Sequence, residues 1–318
     1  MMIVISRPPD TSSSRRGSMI LSAAKCFALA MAAVVACCPP AAALTAREIR
    51  ARLEAEGDRR LRANPMFAGN LKFPVNWAGD GILAGDPDTE IRGIAVSWLA
   101  TEALLKEALK RGANLFIVHE PPYGTQIAAQ PLPGEEDAAA RKAAWLKKTG
   151  MVLYRCHNVE DLIPGFGVRS SWPKWLGFKG KPLAGNMIYE VYDTGGLTLD
   201  ELSRRIAARV RPLGQRTVGV VGDPARKTRR IITGTGVGTR WRDMALMGAD
   251  VLVVTDDGNQ SWEAGQWALD ANKSLIIVNH GTAEEPGIKA LSDYVAKLVK
   301  VPVIYLPVGC IYRTVGAR

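Results

Sequence analysis

From residue 91 onward, short apolar runs rich in valine, isoleucine and leucine alternate with stretches whose apolar positions return every three or four residues. These two periods mark buried strands and amphipathic helices. The pattern predicts strand 91–97, helix 101–111, strand 115–118, helix 136–148 and strand 151–156, a βαβαβ unit. A second block runs through strand 231–233, helix 240–247, strand 251–255, helix 261–271, strand 275–278, helix 285–299 and strand 303–306. Between the blocks lie strand 187–192, helix 199–210 opened by the capping box of Thr198 and Glu201, and strand 217–221. Residues 46–56 fit an amphipathic helix, and residues 64–88 form a glycine-, proline- and asparagine-rich approach without clear periodicity.

This alternation predicts an α/β fold in which two related halves, about residues 68–180 and 230–309, carry mixed sheets flanked by helices. The halves echo each other: Ala108-Leu109-Lys110-Arg111-Gly112-Ala113-Asn114-Leu115 parallels Ala245-Leu246-Met247-Gly248-Ala249-Asp250-Val251. Both segments read helix, glycine turn, buried strand. Such halves would face one cleft at the carboxyl ends of their strands, where ligands gather in sheets of this type.

The first 43 residues read as a targeting segment rather than as part of the fold. Lys25 precedes an apolar stretch over residues 26–38, followed by Pro39-Pro40-Ala41-Ala42-Ala43 with small residues at the positions an Ala-x-Ala cleavage site needs. The stretch is too short to favour a retained membrane span. Ser14-Arg15-Arg16 hints at a twin-arginine signal, although Ser18 stands where that pattern wants a bulky apolar residue, and Met19 would equally start an ordinary secretory signal. Residues 44–318 are then the mature domain, exported and periplasmic, or cytoplasmic if the leader is a misplaced start.

Composition agrees with a globular chain: 318 residues, 47% hydrophobic and 23% charged, suffice for a full core. The formal charge of +10 shrinks once the leader is set aside, because Arg7, Arg15, Arg16 and Lys25 against Asp10 account for +3 and leave +7. No dense basic and aromatic stripe accompanies it, so no nucleic-acid partner is expected. Three of the five cysteines lie in the leader; Cys156 and Cys310 remain, without the spacing of a zinc knuckle, as a pair that would bridge only if the fold brought them together.

The chain holds only three histidines, and each ends an apolar run: Leu115-Phe116-Ile117-Val118-His119-Glu120, Val152-Leu153-Tyr154-Arg155-Cys156-His157 and Leu275-Ile276-Ile277-Val278-Asn279-His280. An acid accompanies each: Glu120 after His119, Asp161 four residues after His157, and Glu284 four residues after His280. Asp256-Asp257 ends a further strand. Imidazoles and carboxylates converging on one cleft are the donors of a divalent metal site.

The segments Val118-His119-Glu120-Pro121, His157-Asn158-Val159-Glu160-Asp161 and Asn279-His280-Gly281-Thr282-Ala283-Glu284, the last followed by Gly287-Ile288-Lys289-Ala290-Leu291, resemble the Nif-three-like family of dinuclear metal-centre hexameric proteins, also labelled GTP cyclohydrolase I type 2 homologues. The likeness runs over most of residues 68–309. It implies two divalent ions (manganese, iron, zinc or magnesium) held by His119, Glu120, Asp161, His280 and Glu284, with His157 nearby as a further candidate, and a ring-shaped homo-hexamer. Glu120 stands where the family has a second histidine. That change adds charge and a harder oxygen donor, favouring manganese, iron or magnesium over zinc, or costing one metal.

A pair of divalent ions about 3.5–4 Å apart activates a bridging water, so the expected activity is metal-dependent hydrolysis of a small anionic or heterocyclic, nucleotide-like substrate by a bridging hydroxide. The alternative is a metal-binding or assembly protein with no catalytic role. Glu285, Asp257 and Tyr123 are candidate proton carriers. The run Gly234-Thr235-Gly236-Val237-Gly238 follows a strand and precedes a helix; it lacks the phosphate-binding spacings and reads as a tight turn. Ser170, Ser171 and Ser261 carry no nucleophile motif, and Trp172, Trp175, Trp262 and Trp267 read first as core packing.

Overall fold

The computed structural model describes residues 44–122, 133–259 and 262–315. The proposed leader, Tyr123 and Ser261 lie outside the described residues. Among those residues, no helix is long and apolar enough to cross a membrane.

The chain begins with α1 (Ala46–Arg62) and α2 (Pro65–Ala68), followed by β1 (Gly81–Ala84), β2 (Ile94–Ser97), α3 (Glu102–Lys110), β3 (Leu115–Val118), α4 (Glu135–Thr149) and β4 (Val152–Arg155). Then come α5 (Asn158–Leu162), α6 (Val168–Leu176), β5 (Ala184–Gly185), β6 (Glu190–Asp193), α7 (Leu199–Val210), β7 (Gly219–Val221) and β8 (Arg230–Thr233). The last elements are α8 (Trp241–Ala245), β9 (Val251–Thr255), α9 (Trp262–Asp270), β10 (Ser274–Val278), α10 (His280–Leu298) and β11 (Val303–Tyr305).

Two mixed sheets result, ordered β1-β4-β3-β2-β11 and β5-β6-β8-β9-β10-β7. In the first, β4, β3, β2 and β11 are parallel and β1 runs antiparallel along the edge. In the second, the parallel trio β8, β9 and β10 is flanked by antiparallel β6 and β7. The last strand therefore departs from the block to which the sequence pattern assigns it: β11 returns to pair with β2, Val303 opposite Ile94. Its hydrophobic pattern fixes that it is a strand, not which sheet receives it.

Strand side chains alternate between faces, so each sheet feeds two apolar layers. Ile94, Val96, Leu115, Ile117 and Val152 pack with α1 and the Ile288, Leu291 and Val295 face of α10. Ala95, Phe116, Val118 and Leu153 pack instead with α3 and α4. In the second sheet Val251, Val253, Ile276 and Val278 meet α7, Trp172 of α6 and Ala283 of α10, whereas Leu252, Val254 and Leu275 meet α8 and α9. Helices α6 and α10 thus contribute to the inner layer of both sheets. Trp172 is core, as its pattern predicts, but Trp262 is 70% exposed.

The capping box at Thr198 forms as read: its hydroxyl accepts from the Glu201 N–H, and the Glu201 carboxylate reaches back to the Thr198 N–H. Four elements differ from the pattern. Strand β1 is a four-residue edge inside the glycine-rich approach, too short to show a period. Helices α5 and α6 are likewise shorter than an amphipathic window needs. Helix α10 starts at His280, ahead of the proline that a pattern reading takes as its boundary, and carries Pro286 inside it. Packing overrides that local penalty. At Gly287 a Cβ would sit 2.6 Å from the Cα of Val168, so α10 and α6 approach closely only because no side chain intervenes.

Two predictions follow from this packing. Gly287→Ala gains up to about 1 kcal/mol of helix propensity but forces backbone apart, an overpacking cost of about 1–3 kcal/mol. Net loss of stability is expected in urea unfolding; a variant as stable as the parent would refute the close approach. On α1, the Arg59 guanidinium, with Arg60, holds the Glu56 carboxyl down at about 2. Its folded value lies below the ordinary 4.5, so its contribution is present above that pH and is lost as pH falls through about 2. The stability gap between parent and Glu56→Gln should therefore close over that window, and a gap independent of pH would exclude the pairing.

Candidate metal centre

Four strand ends supply the site. Past β3, His119 N–H and Glu120 N–H donate to the carbonyls of Ser97 and Trp98, extending the β2 pairing and holding both side chains at the sheet edge. Past β4, the chain turns into α5, whose N-terminus is capped from far away: Asp80 accepts the N–H groups of His157 (3.0 Å), Asn158 (2.8 Å) and Val159 (2.9 Å). This places Asp161 one turn below His157. Past β10, His280 and Glu284 open α10 on one face, an i,i+4 pair. Past β9, Asp256 accepts from the His280 N–H at 3.1 Å, and Asp257 sits beside the His280 ring.

All the residues picked out by spacing converge. Three sets of donor atoms lie mutually within 4.8 Å: His119 with Asp161 and Glu284, His280 with Glu120 and Glu284, and His119 with Glu120 and His157. Glu284 Oε2 is the hub, 3.3 Å from His119 Nε2, 3.0 Å from His280 Nε2, and accepting from the Trp98 indole N–H at 2.9 Å. His119 Nε2 is also 3.5 Å from Asp161 Oδ1, and His280 Nε2 is 3.3 Å from Glu120 Oε1. The His157 ring stacks on that of His119, centroids 4.4 Å apart, with its Nδ1 3.2 Å from Asp161.

His119 and Glu284 form a buried floor, whereas the Asp161 side chain is 32% exposed, so the cluster opens to solvent on one side. His119 Nδ1 faces the Cys156 carbonyl at 3.3 Å, which commits that nitrogen as a donor and turns Nε2 toward the acids. Nε2 is fully buried and has no aligned hydrogen-bond partner. A divalent ion is the partner this donor set fits: imidazole nitrogen and carboxylate oxygen on one buried point.

The electrostatics express the same demand. Burial alone would lower the His119 pKa, but Glu284, Asp161 and Glu120 outweigh it and push it up to about 10. Burial is likewise overcome at His280, whose pKa rises beside Glu284, Asp257 and Glu120. Glu284 is held low despite its burial by the two imidazoles, while burial raises Asp161 against the pull of His119 and His157. Without a cation, the acids gather protons onto the imidazoles instead.

Two questions left by the sequence are also answered. Glu285 faces away from the cluster and accepts from the Tyr305 hydroxyl and the N–H groups of Val308 (3.2 Å) and Gly309 (2.7 Å), so it ties the C-terminal loop to α10 rather than carrying protons in the site. Cys156 and Cys310 are free thiols, not a bridge. Burial, with Asp80 and Glu160 beyond it, pushes Cys156 well above the ordinary thiol range, which leaves it unreactive. Sequence reasoning overlooked Trp98 and Glu160. Trp98 follows the end of β2, the same strand-end signal that marks the histidines. Glu160 gives no such signal: its carboxyl is fully buried without a hydrogen bond, and burial raises its pKa well above the ordinary range.

Comparison with known proteins places the fold and the family. The chain is 26% identical over 220 residues to the GTP cyclohydrolase 1 type 2 homolog of Halobacterium salinarum, covering 67% of this chain and 83% of that one. Its fold matches a Staphylococcus aureus protein with a TM-score of 0.65 at 15% identity, over 86% of this chain and 99% of that one. A Bacillus cereus protein related to NIF3 matches at 0.64 and 14% identity, over 86% and 99% of the two chains. Reduced HcgD from Methanocaldococcus jannaschii matches at 0.63 and 18%, over 83% and 98%. These structural matches establish the fold. With the profile of Duf34/NIF3 (NGG1p interacting factor 3) matching residues 70–309, the chain belongs to that family.

Proposed function

We propose that the chain is a dinuclear-metal hydrolase acting on a small anionic or heterocyclic, nucleotide-like substrate. The observation that carries this reading is His119 Nε2, a fully buried ring nitrogen held 3.3 Å from Glu284 and 3.5 Å from Asp161 without an aligned hydrogen bond. His119, Asp161 and Glu284 would hold one ion; His280, Glu120 and Glu284 would hold the other, with Glu284 shared. Bound there, the ions would supply Lewis-acid polarisation and a water activated near neutral pH.

The chain's own groups have definable parts. His119 is kept in the Nδ1–H tautomer by the Cys156 carbonyl, and His280 by Asp257. Trp98 donates to Glu284 Oε2 and fixes the rotamer of the shared carboxylate. Asp161 and Asp257 are the most exposed acids of the cluster, so a substrate would approach past them. Glu120 makes each position one imidazole and two carboxylates, a hard set that favours manganese, iron or magnesium over zinc.

Three measurements test this. Purified without chelator, the parent protein should carry about two metals per chain by mass spectrometry. Glu284→Gln should lose both, and Asp161→Asn and Glu120→Gln one each. Hydrolysis in a screen of nucleotides and heterocycles should follow metal content; a fully loaded protein that turns over none of them leaves metal binding without catalysis. Because His119 holds its proton up to about pH 10 in the metal-free state, and His280 is also raised, loading at pH 7 should release roughly one proton from each. Calorimetry in buffers of different ionisation enthalpy reads this directly, and loading without proton release would contradict coordination through these imidazoles.

A further inference from the structure

The glycine-rich segment after β8 reads from sequence as a tight turn, yet it lies against the metal centre. Gly236 has φ +59°, and a Cβ there would sit 2.6 Å from Glu284 Oε1 and 3.0 Å from His280 Nε2. Its carbonyl points the other way, into a buried pair of hydroxyls. Thr239 and Thr255 are both fully buried, with Oγ1 atoms 2.7 Å apart and 2.9 and 2.7 Å from the Gly236 oxygen. The Thr255 N–H donates to Thr239 Oγ1 at 3.0 Å. Thr255 Oγ1 is 2.9 Å from Asp257 Oδ1, and the other oxygen of Asp257 accepts from His280 Nδ1 at 2.5 Å.

Only two hydroxyl hydrogens serve this group. The arrangement in which Thr239 donates to the Gly236 carbonyl and Thr255 donates to Asp257 satisfies both acceptors. A chain then runs from the Gly236 carbonyl to the Thr239 hydroxyl, on to Thr255 through its N–H, and from the Thr255 hydroxyl through Asp257 to the ring of His280. Nothing in it touches His119 or Asp161.

We infer that Gly236, Thr239 and Thr255 form a buried positioning unit that, through Asp257, sets the ring orientation and tautomer of His280 and thereby governs the metal position of His280, Glu120 and Glu284 selectively. The glycine is required because its backbone shares space with two ligands. The threonines are required because a hydrogen-bonded carboxylate holds an imidazole more firmly than a free one, and loss of such outer partners commonly weakens metal binding about 10–100-fold. The inference rests on the dinuclear reading above.

The test is manganese binding to the full chain, followed by calorimetry and by metal content after dialysis, for the parent, Thr255→Val, Thr255→Ser and Asp257→Asn. The parent should bind two ions. Thr255→Val should keep one unchanged and bind the other about 10–100-fold more weakly, and Thr255→Ser, which restores the hydroxyl, should bind both like the parent. Two unchanged sites in Thr255→Val, or equal weakening of both, would overturn the inference while leaving the dinuclear reading intact. Fewer than two ions in the parent would instead overturn the dinuclear reading itself. Should Thr255→Val fail to fold, Asp257→Asn decides in its place, since that side chain is 41% exposed and its loss leaves no buried void: selective weakening supports the unit, and none overturns it.

Discussion

Burying a carboxylate costs several kcal/mol unless opposite charge and hydrogen bonds surround it, and Glu284 is only 3% exposed. Its compensation comes from three directions: His119 beyond β3, His280 one turn earlier on α10, and the Trp98 indole beyond β2. These groups reach it only if α10 begins at His280 and lies between the two sheets. The next residue, Glu285, points elsewhere and binds the Tyr305 hydroxyl and the backbone after β11. Successive acids on one helical turn therefore anchor the site and the returning C-terminal strand, so the last strand's place in the first sheet and the geometry of the cluster are set by the same element.

A second long-range constraint builds the opposite wall. Asp80 precedes the edge strand β1 and receives three successive N–H groups at the start of α5. An N-cap is ordinarily the residue next to its helix; here the acceptor arrives from the neighbouring antiparallel strand, because Gly81 at the start of β1 pairs with Arg155 at the end of β4. That cap turns the His157 to Asp161 spacing into one turn of helix, bringing Asp161 under both imidazoles, and it allows the His157 ring to stack on that of His119.

These two constraints explain what could be read from the sequence. Strand ends and their histidines were legible because apolar runs of four or five residues stop at a polar residue, and β3, β9 and α7 fall at their predicted bounds. The converging acids were legible because each follows its histidine at a fixed local spacing. The start of α10 was not, because local preference ends a helix near Pro286 and only packing against α6 overrides it. Helix α5 was invisible for a related reason: its cap is supplied from 77 to 79 residues away. The roles of Glu285, Gly236 and Thr255 depend on contacts between elements, which no periodicity encodes.

Glu120 bears on how the two proposed metal positions differ. With it, each position has one histidine, one carboxylate of its own and the shared Glu284, so their inner ligands are chemically equivalent. What separates them is the acceptor behind each imidazole. His119 donates to a neutral backbone carbonyl, whereas His280 donates to the Asp257 carboxylate at 2.5 Å. A charged acceptor makes the ring more basic and holds it more tightly than a neutral one. On the dinuclear reading, a nearly symmetric ligand set is thus made unequal from outside, and the Gly236, Thr239 and Thr255 unit belongs to only one side of it.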